Sequence, residues 1–340
     1  MKILIIGGTG FISSKLVDKL LSEGHKLTLL NRGRTKNELP NHPNLSFAFG
    51  DRNDIKILSE LASKQKFDVV YDMIAFDEKD SKTAIDAFKK KIGRFIHCST
   101  ISVYMLAKEV KLPVTEDQIN LPLMEEFKRS PFGWDYGINK IKCENILWKH
   151  HDEKSFPVSM LRPTYVSGPK DPARRDWFWI ERILDEHPLL VPGDGNFRFQ
   201  QVYIEDTADA FCKVIETDKS IGEAYNVAAG EAFTLNDYLS QLMKLLNKNT
   251  ELFYIDQQEF DNLEISYSPE GDVFTFNTRR DTVFSLQKIK EHLGYITTPF
   301  DDYMKATIDW FLNEHKRHSA GYARRDEEIK IINSLKVIRV

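Results

Sequence analysis

Tyr136 and Lys140 stand four residues apart in Trp134-Asp135-Tyr136-Gly137-Ile138-Asn139-Lys140. On a helix that spacing puts both side chains on one face. A free phenol titrates at about 10 and serves poorly as an acid–base group at neutral pH. A neighbouring ammonium favours the phenolate, so Lys140 is expected to hold Tyr136 acidic. The bland alternative is an exposed helix face, and a third group upstream weighs against it. In the stretch Arg94 to Tyr104 an apolar strand stops and hydroxyls begin at Ser99, Thr100 and Ser102. A hydroxyl there donates to a substrate oxygen while the tyrosine moves a proton.

A second set of residues suits a dinucleotide. Gly7-Gly8-Thr9-Gly10-Phe11-Ile12-Ser13 follows an apolar run at Ile3–Ile6 and opens a helical pattern. A chain that leaves a strand, turns sharply into a helix and lets a pyrophosphate approach bare backbone needs glycine. Ser13 replaces the final glycine of the usual fingerprint and is small enough for close helix–sheet packing. The second strand ends in Asn31-Arg32-Gly33-Arg34, with no carboxylate for a ribose 2′-hydroxyl and two guanidinium groups for a 2′-phosphate, which points to NADP, with NAD as the alternative. Asp51, after the third strand, is placed either to meet the adenine amino group or to cap its own turn.

These groups need a parallel α/β frame. The first hundred residues alternate short apolar runs with amphipathic stretches, which gives strands at 2–6, 26–31, 45–49, 67–74, 93–98 and 157–162 and helices at 11–23, 53–63, 80–91 and 135–150. The expected fold is a Rossmann-type doubly wound parallel sheet with a smaller mixed α/β substrate domain. Residues 1–165 with about 200–230 form the nucleotide-binding part, and about 166–199 with 231–315 the substrate domain. Helices are expected near 176–187, 206–217, 234–247 and 299–315, and extended chain at 199–204 and 224–228. Thr234 is a fitting N-cap, with Asp237 at the capping-box position. Residues 316–340 form a charged extension whose final Leu335–Val340 reads as a strand.

Composition closes several classes. The 340 residues are 41 % hydrophobic, which is globular, and the net charge of −4 argues against a dedicated nucleic-acid binder. Cys98, Cys143 and Cys212 are far apart in apolar contexts, which makes neither a disulfide framework nor a metal site and fits reduced thiols in a cytoplasmic protein. No stretch approaches the ~20 apolar residues of a membrane helix.

Taken in order, these motifs resemble the extended short-chain dehydrogenase/reductases of the NAD-dependent epimerase/dehydratase family, over about residues 1–315. The likeness includes Gly50-Asp51, Val103-Tyr104, Val114-Thr115-Glu116-Asp117, Leu161-Arg162-Pro163 with Gly168-Pro169, Gly193-Asp194-Gly195 and Val202 to Asp206. It implies a catalytic set of Thr100, Tyr136 and Lys140. The cofactor would lie against Gly7, Thr9, Gly10, Phe11, Ile12, Asn31, Arg32, Arg34, Asp51, Arg52, Ala75, Ser99, Pro163 and the Tyr136/Lys140 pair. The implied reaction is hydride transfer at a hydroxyl or keto group of a sugar or sugar nucleotide, in a homodimer paired through the helices near 80–91 and 135–150.

The pattern also departs from that family. Ile101-Ser102 stand where sugar-nucleotide 4,6-dehydratases carry Asp-Glu. Tyr165 and Phe199 replace an asparagine and an arginine usual in nucleotide-sugar members, and Arg198 beside Phe199 would face the wrong way. Gln200-Gln201 is closer to an atypical branch that includes chloroplast stem-loop-binding proteins, so an RNA-binding or cofactor-sensing role is the alternative, with Lys89-Lys90-Lys91 and His315–His318 as its basic runs. Ser102, Tyr165, Arg174, Trp177 and Arg198 are candidate substrate contacts. The segment with Arg174, Arg175, Trp177, Phe178 and Trp179 serves equally as a lip for an anionic, flat group or as aromatic packing for the small domain.

Overall fold

The computed structural model describes residues 1–34, 39, 41–126, 133–263, 267–268, 271–272, 276, 279–314, 318–319 and 321–338. Its frame is a seven-stranded parallel sheet built from β1 (Lys2–Ile6), β2 (Lys26–Asn31), β3 (Leu45–Phe49), β4 (Val69–Asp72), β5 (Arg94–Cys98), β6 (Val158–Pro163) and the edge strand Ala224–Val227. Across the sheet the order is Ala224–Val227, β6, β5, β4, β1, β2, β3. Strands covered on both faces read as continuous apolar runs, as in Ile3 to Ile6, which are fully buried. The β3 edge instead leaves Phe47 and Phe49 exposed.

The crossovers are α1 (Phe11–Ser22), α2 (Ile55–Lys64), α3 (Glu78–Phe88), the short α4 (Ser102–Met105), α5 (Gly133–Asp152), α6 (Arg175–Leu184) and α7 (Ile204–Lys213). Leu16, Leu20 and Phe211, from α1 and α7, pack with Ile5, Leu29 and Tyr71 on one face of the sheet. Phe88 and Leu147, from α3 and α5, pack with Leu4, Val70 and Phe95 on the other. The chain reverses direction across the sheet between β1 and β4, where α/β proteins open a crevice at the carboxyl ends of the strands.

A second core gathers α6, α8 (Leu235–Leu246) and the helix Phe300–Glu314 around Trp179, Leu190, Tyr238 and Tyr303. Short strands join it: Leu189–Pro192 beside Leu252–Ile255, and Arg198–Phe199 beside Phe233–Thr234. Thr234 caps α8 as expected, accepting from the Asp237 N–H at 3.0 Å while Asp237 accepts from the Thr234 N–H. The end of the chain departs from expectation. Arg325–Ile338 is a helix, not a strand, and it buries Ile332 in the second core with Ile331 and Leu335 against it. Those three share a helical stripe, and buried ion pairs to α6 turn its charged face inward as well.

Candidate active site

The turn after β1 has the backbone that a phosphate cradle needs. Gly7 has φ +87°, and a Cβ there would lie 2.3 Å from Ile74 Cγ2, so a side chain would both strain the turn and fill it. Gly10 caps α1 with no side-chain hydrogen bond, leaving the first N–H groups of the helix to meet an anion. Thr9, Phe11 and Ile12 are half-buried around this turn and Gly10 is exposed. The cradle therefore fits a dinucleotide pyrophosphate.

Beyond β2, the Asn31 side chain accepts from the Gly33 N–H at 3.1 Å and shapes a loop on which Arg32 and Arg34 are exposed. Asp51 takes the turn-capping alternative, accepting from the Asn53 N–H at 2.9 Å. Arg52 is buried, with Nη2 donating to Asp72 at 2.7 Å and to the Asp80 carbonyl at 2.9 Å, so its side chain braces the loops from within.

The candidate proton-handling groups meet at the carboxyl ends of β4 and β5. Lys140 is 3 % exposed, and its ammonium donates to the backbone carbonyls of Ala75 at 2.9 Å and Cys98 at 2.7 Å. Two carbonyls thus pin the charge one helical turn from Tyr136. The Tyr136 phenol hydrogen-bonds with the Thr100 hydroxyl and lies against the Phe76 ring, 5.9 Å between centroids. Thr100 Oγ1 also donates to Ser102 Oγ and accepts from the Ser102 N–H, both at 3.2 Å. Gly137 makes the meeting possible, since a Cβ there would stand 2.7 Å from Leu106 Cδ1 and 3.0 Å from the Ser102 carbonyl.

The phenol is not held acidic. Burial raises its pKa above the ordinary value, and the Lys140 charge offsets that only in part. Burial likewise pushes the Cys98 thiol up to about 11.

Beneath this surface lies a buried brace. Ser99 donates to Glu144 at 2.5 Å, and Arg162 grips the same carboxylate through Nε at 2.9 Å and Nη2 at 2.5 Å. The Arg162 Nη1 also donates to Tyr104 and to the Glu116 carbonyl. Ser99 is thereby occupied by its own fold. The Pro163 carbonyl accepts from the Ile101 N–H at 3.1 Å and sets the start of α4. Sequence spacing gave no role to Glu144 or Gly137, although Glu144 lies eight residues after Tyr136 on the same helix. Arg280, which donates to the carbonyls of Met105 at the end of α4 and Ala107 just after it, carries no sequence signal at all.

The candidate substrate contacts divide. Ser102 and Tyr165 are half-buried, Ser102 beside Thr100 and Tyr165 in an edge-on contact with the Phe199 ring. Trp177 is a packing residue, 7 % exposed and 4.9 Å from the Trp310 ring. Arg174 lies over Trp177 and donates to the His318 carbonyl at 2.5 Å. Arg198 is exposed and paired with Asp281 at 2.7 Å, while Phe199 beside it is buried. Strand alternation thus turns it outward. In the same segment, the Arg175 charge lowers the Tyr136 pKa, behind burial and the Lys140 charge.

The sequence pattern of the NAD dependent epimerase/dehydratase family matches residues 3–228, spanning the cradle, Thr100, Tyr136, Lys140 and the whole sheet. The chain belongs to that family. Within it, this epimerase/dehydratase relative is 28 % identical over 307 residues to the Chloroplast stem-loop binding protein of 41 kDa b of Arabidopsis thaliana, covering 86 % of this chain and 74 % of that one. It is 24 % identical to the Arabidopsis Trifunctional UDP-glucose 4,6-dehydratase/UDP-4-keto-6-deoxy-D-glucose 3,5-epimerase/UDP-4-keto-L-rhamnose-reductase RHM1, covering 91 % of this chain but 46 % of that protein, about half its length. The UDP-glucuronic acid 4-epimerase of Bacillus cereus, solved with NAD, shares the fold at a TM-score of 0.72 and 24 % identity, over 93 % of this chain and all of that one. This is the extended short-chain dehydrogenase/reductase architecture, and its cofactor is a nicotinamide dinucleotide. Among the described residues no helix is long and apolar enough to cross a membrane, and no cluster of His, Cys, Asp and Glu could hold a metal ion.

Proposed function

We propose that this family member is an NAD(P)-dependent oxidoreductase or epimerase acting at a hydroxyl or keto carbon of a sugar or sugar nucleotide, with Tyr136 as the acid–base group. The observation that carries the reading is the Tyr136 phenol bonded to Thr100 one turn from an ammonium pinned by the Ala75 and Cys98 carbonyls. When bound, the nicotinamide supplies hydride exchange with the substrate carbon. The chain supplies position and protons. With its pKa raised, Tyr136 is protonated at neutral pH and donates from Oη to a carbonyl oxygen; in the opposite direction Lys140 stabilises the phenolate that receives a proton. Thr100 shares the phenol's hydrogen bond and orients the substrate oxygen between the two.

Replacing Tyr136 by Phe is expected to lower turnover by roughly two to four orders of magnitude while cofactor affinity stays close to that of the parent. Turnover that survives the change would remove the phenol from the chemistry. Arg32 and Arg34, exposed after β2 with no acid between Asn31 and Arg34, support NADP over NAD. NADPH is then expected to raise the melting temperature more than NADH at equal concentration, and the reverse order would overturn this preference.

A nucleic-acid role draws on the chloroplast relative's name, and the basic runs give it little. Lys89 lies 3.9 Å from Glu153 and Lys91 donates to the Ala87 carbonyl at 3.1 Å, so those charges serve α3. Of the second run, residues 315–317 lie outside the described residues. The net charge of −4 points the same way.

A further inference from the structure

Residues 279–286 run as a strap between the second core and the Thr100 loop. On one side the Thr282 N–H donates to the Arg198 carbonyl at 2.7 Å, and the Phe284 N–H donates to Gln200 Oε1 at 2.6 Å. On the other, the Val114 N–H donates to the Val283 carbonyl at 2.7 Å and the Ser285 N–H to the Val114 carbonyl at 2.8 Å. Phe284 is buried between them with Ile101, Val103 and Tyr104. The two arginines that open the strap point to different places. Arg279 meets Asp261 through both Nη atoms at 2.7 Å. Arg280 meets the end of α4, where Nη1 donates to the Ala107 carbonyl at 2.7 Å and Nη2 donates to the Met105 carbonyl. The last carbonyls of a helix lack partners within it, and a guanidinium fork holds two at once. These two belong to the residues on either side of Leu106, which closes α4. Leu106 is also the side chain that α5 meets at Gly137, where a Cβ would lie 2.7 Å from Leu106 Cδ1. Tyr136 is the next residue. One cation from the strap thus clamps the backbone around the side chain on which the start of α5 rests.

We propose that Arg280 is a positioning residue for the Tyr136 phenol, acting through Leu106 and Gly137 and tying the place of that phenol to the second core. Its bearing on turnover rests on the reading of Tyr136 as the acid–base group; its hold on the phenol's place does not. Leu106 has little room to yield, being 6 % exposed with its carbonyl accepting from the Met124 N–H at 2.9 Å. A misplacement of about 1 Å between reacting groups costs roughly a hundredfold in rate, so a clamp this near the phenol acts on the chemistry without touching substrate.

The test reads the phenol itself. The full chain, isotope-labelled at the tyrosine Cζ atoms, is saturated with NADPH or NADH, whichever binds it more tightly, and studied by NMR. The Tyr136 signal is assigned by its loss in Tyr136→Phe. Arg280→Met keeps the aliphatic stem and removes the donors, and it is expected to move the Tyr136 signal by more than its line width. Arg280→Lys, which restores the charge without the fork, is expected to bring the signal part of the way back. Arg279→Met removes the neighbouring cation that faces Asp261 and is expected to leave the signal in place. Dinucleotide affinity within about twofold of the parent shows that each variant is folded. Should Arg280→Met fail to fold, Leu106→Val carries the test, since a shorter side chain at Gly137 is expected to move the same signal. A signal that stays at the parent position in these variants, or that Arg279→Met moves as far, overturns the assignment. The two readings fail separately: full turnover in Tyr136→Phe defeats the acid–base role and leaves the shift standing, whereas an unmoved signal defeats Arg280 and leaves the phenol its chemistry.

Discussion

His97 lies in the middle of the sheet, fully buried in β5, with neither ring nitrogen hydrogen-bonded. Burial, reinforced by the charges of Lys140, Arg52 and Arg162, pushes its pKa well below the ordinary 6.5. The consequence for stability has a definite sign. Well above pH 6.5 the imidazole is neutral in both states and contributes no pH dependence; as pH falls through that value the unfolded chain takes up a proton that the folded chain refuses, and stability falls with pH. From about pH 8 to about pH 5.5 this loss is about 1.4 kcal/mol, and His97→Phe is expected to remove it, as read from urea unfolding at the two pH values. Equal slopes in parent and variant would show that the ring is charged in the folded protein. Spacing made Thr100, Tyr136 and Lys140 legible, because a helical turn and a strand end are local facts. It left His97 unremarked in an apolar strand, and it misjudged the sign of the Tyr136 shift, because burial is the work of Phe76, α4 and other parts of the chain that no single segment reveals.

At the level of elements, α6 and the helix Arg325–Ile338 hold each other by charge. Arg182 binds Glu328 through Nε at 3.0 Å and Nη2 at 2.5 Å, Arg325 reaches the same carboxylate at 3.0 Å and Asp185 at 2.8 Å, and Ser319 donates to Glu181. The Arg182–Glu328 pair is 1 % and 0 % exposed at the side chain, so removing one partner leaves charge buried without compensation. Glu328→Gln is therefore expected to destabilise the protein by roughly 3 kcal/mol, and to speed amide exchange along α6 more than along α1. Unfolding at the parent's denaturant midpoint would mean that the apolar stripe alone holds the two helices together. The same pairing explains why this helix was hidden in the sequence. Ile331, Ile332 and Leu335 sit among so many charged residues that the segment reads as a solvated tail, and only the partner on α6 shows that the charges face inward.

Over the whole molecule, legibility follows contact order. The sheet was readable because each βα unit carries its own period, and the expected strand at 26–31 and helix at 11–23 agree with β2 and α1 to within a residue. The second core has no such signature. It pairs Leu189–Pro192 with Leu252–Ile255 and Arg198–Phe199 with Phe233–Thr234, pieces too short for periodicity and joined across long separations.

One of those separations fixes an order of assembly. Glu328 follows Arg182 by 146 residues. Synthesis proceeds from the N-terminus, so a growing chain has made the cradle at Gly7, the Thr100 loop and the Tyr136 helix long before the anchor for α6 exists. Such a nascent chain already carries every strand of the sheet, while α6 still lacks its clasp. The sheet can thus assemble ahead of the second core, and a product cut short before Glu328 would keep every strand of that sheet while leaving Arg182 buried without its carboxylate.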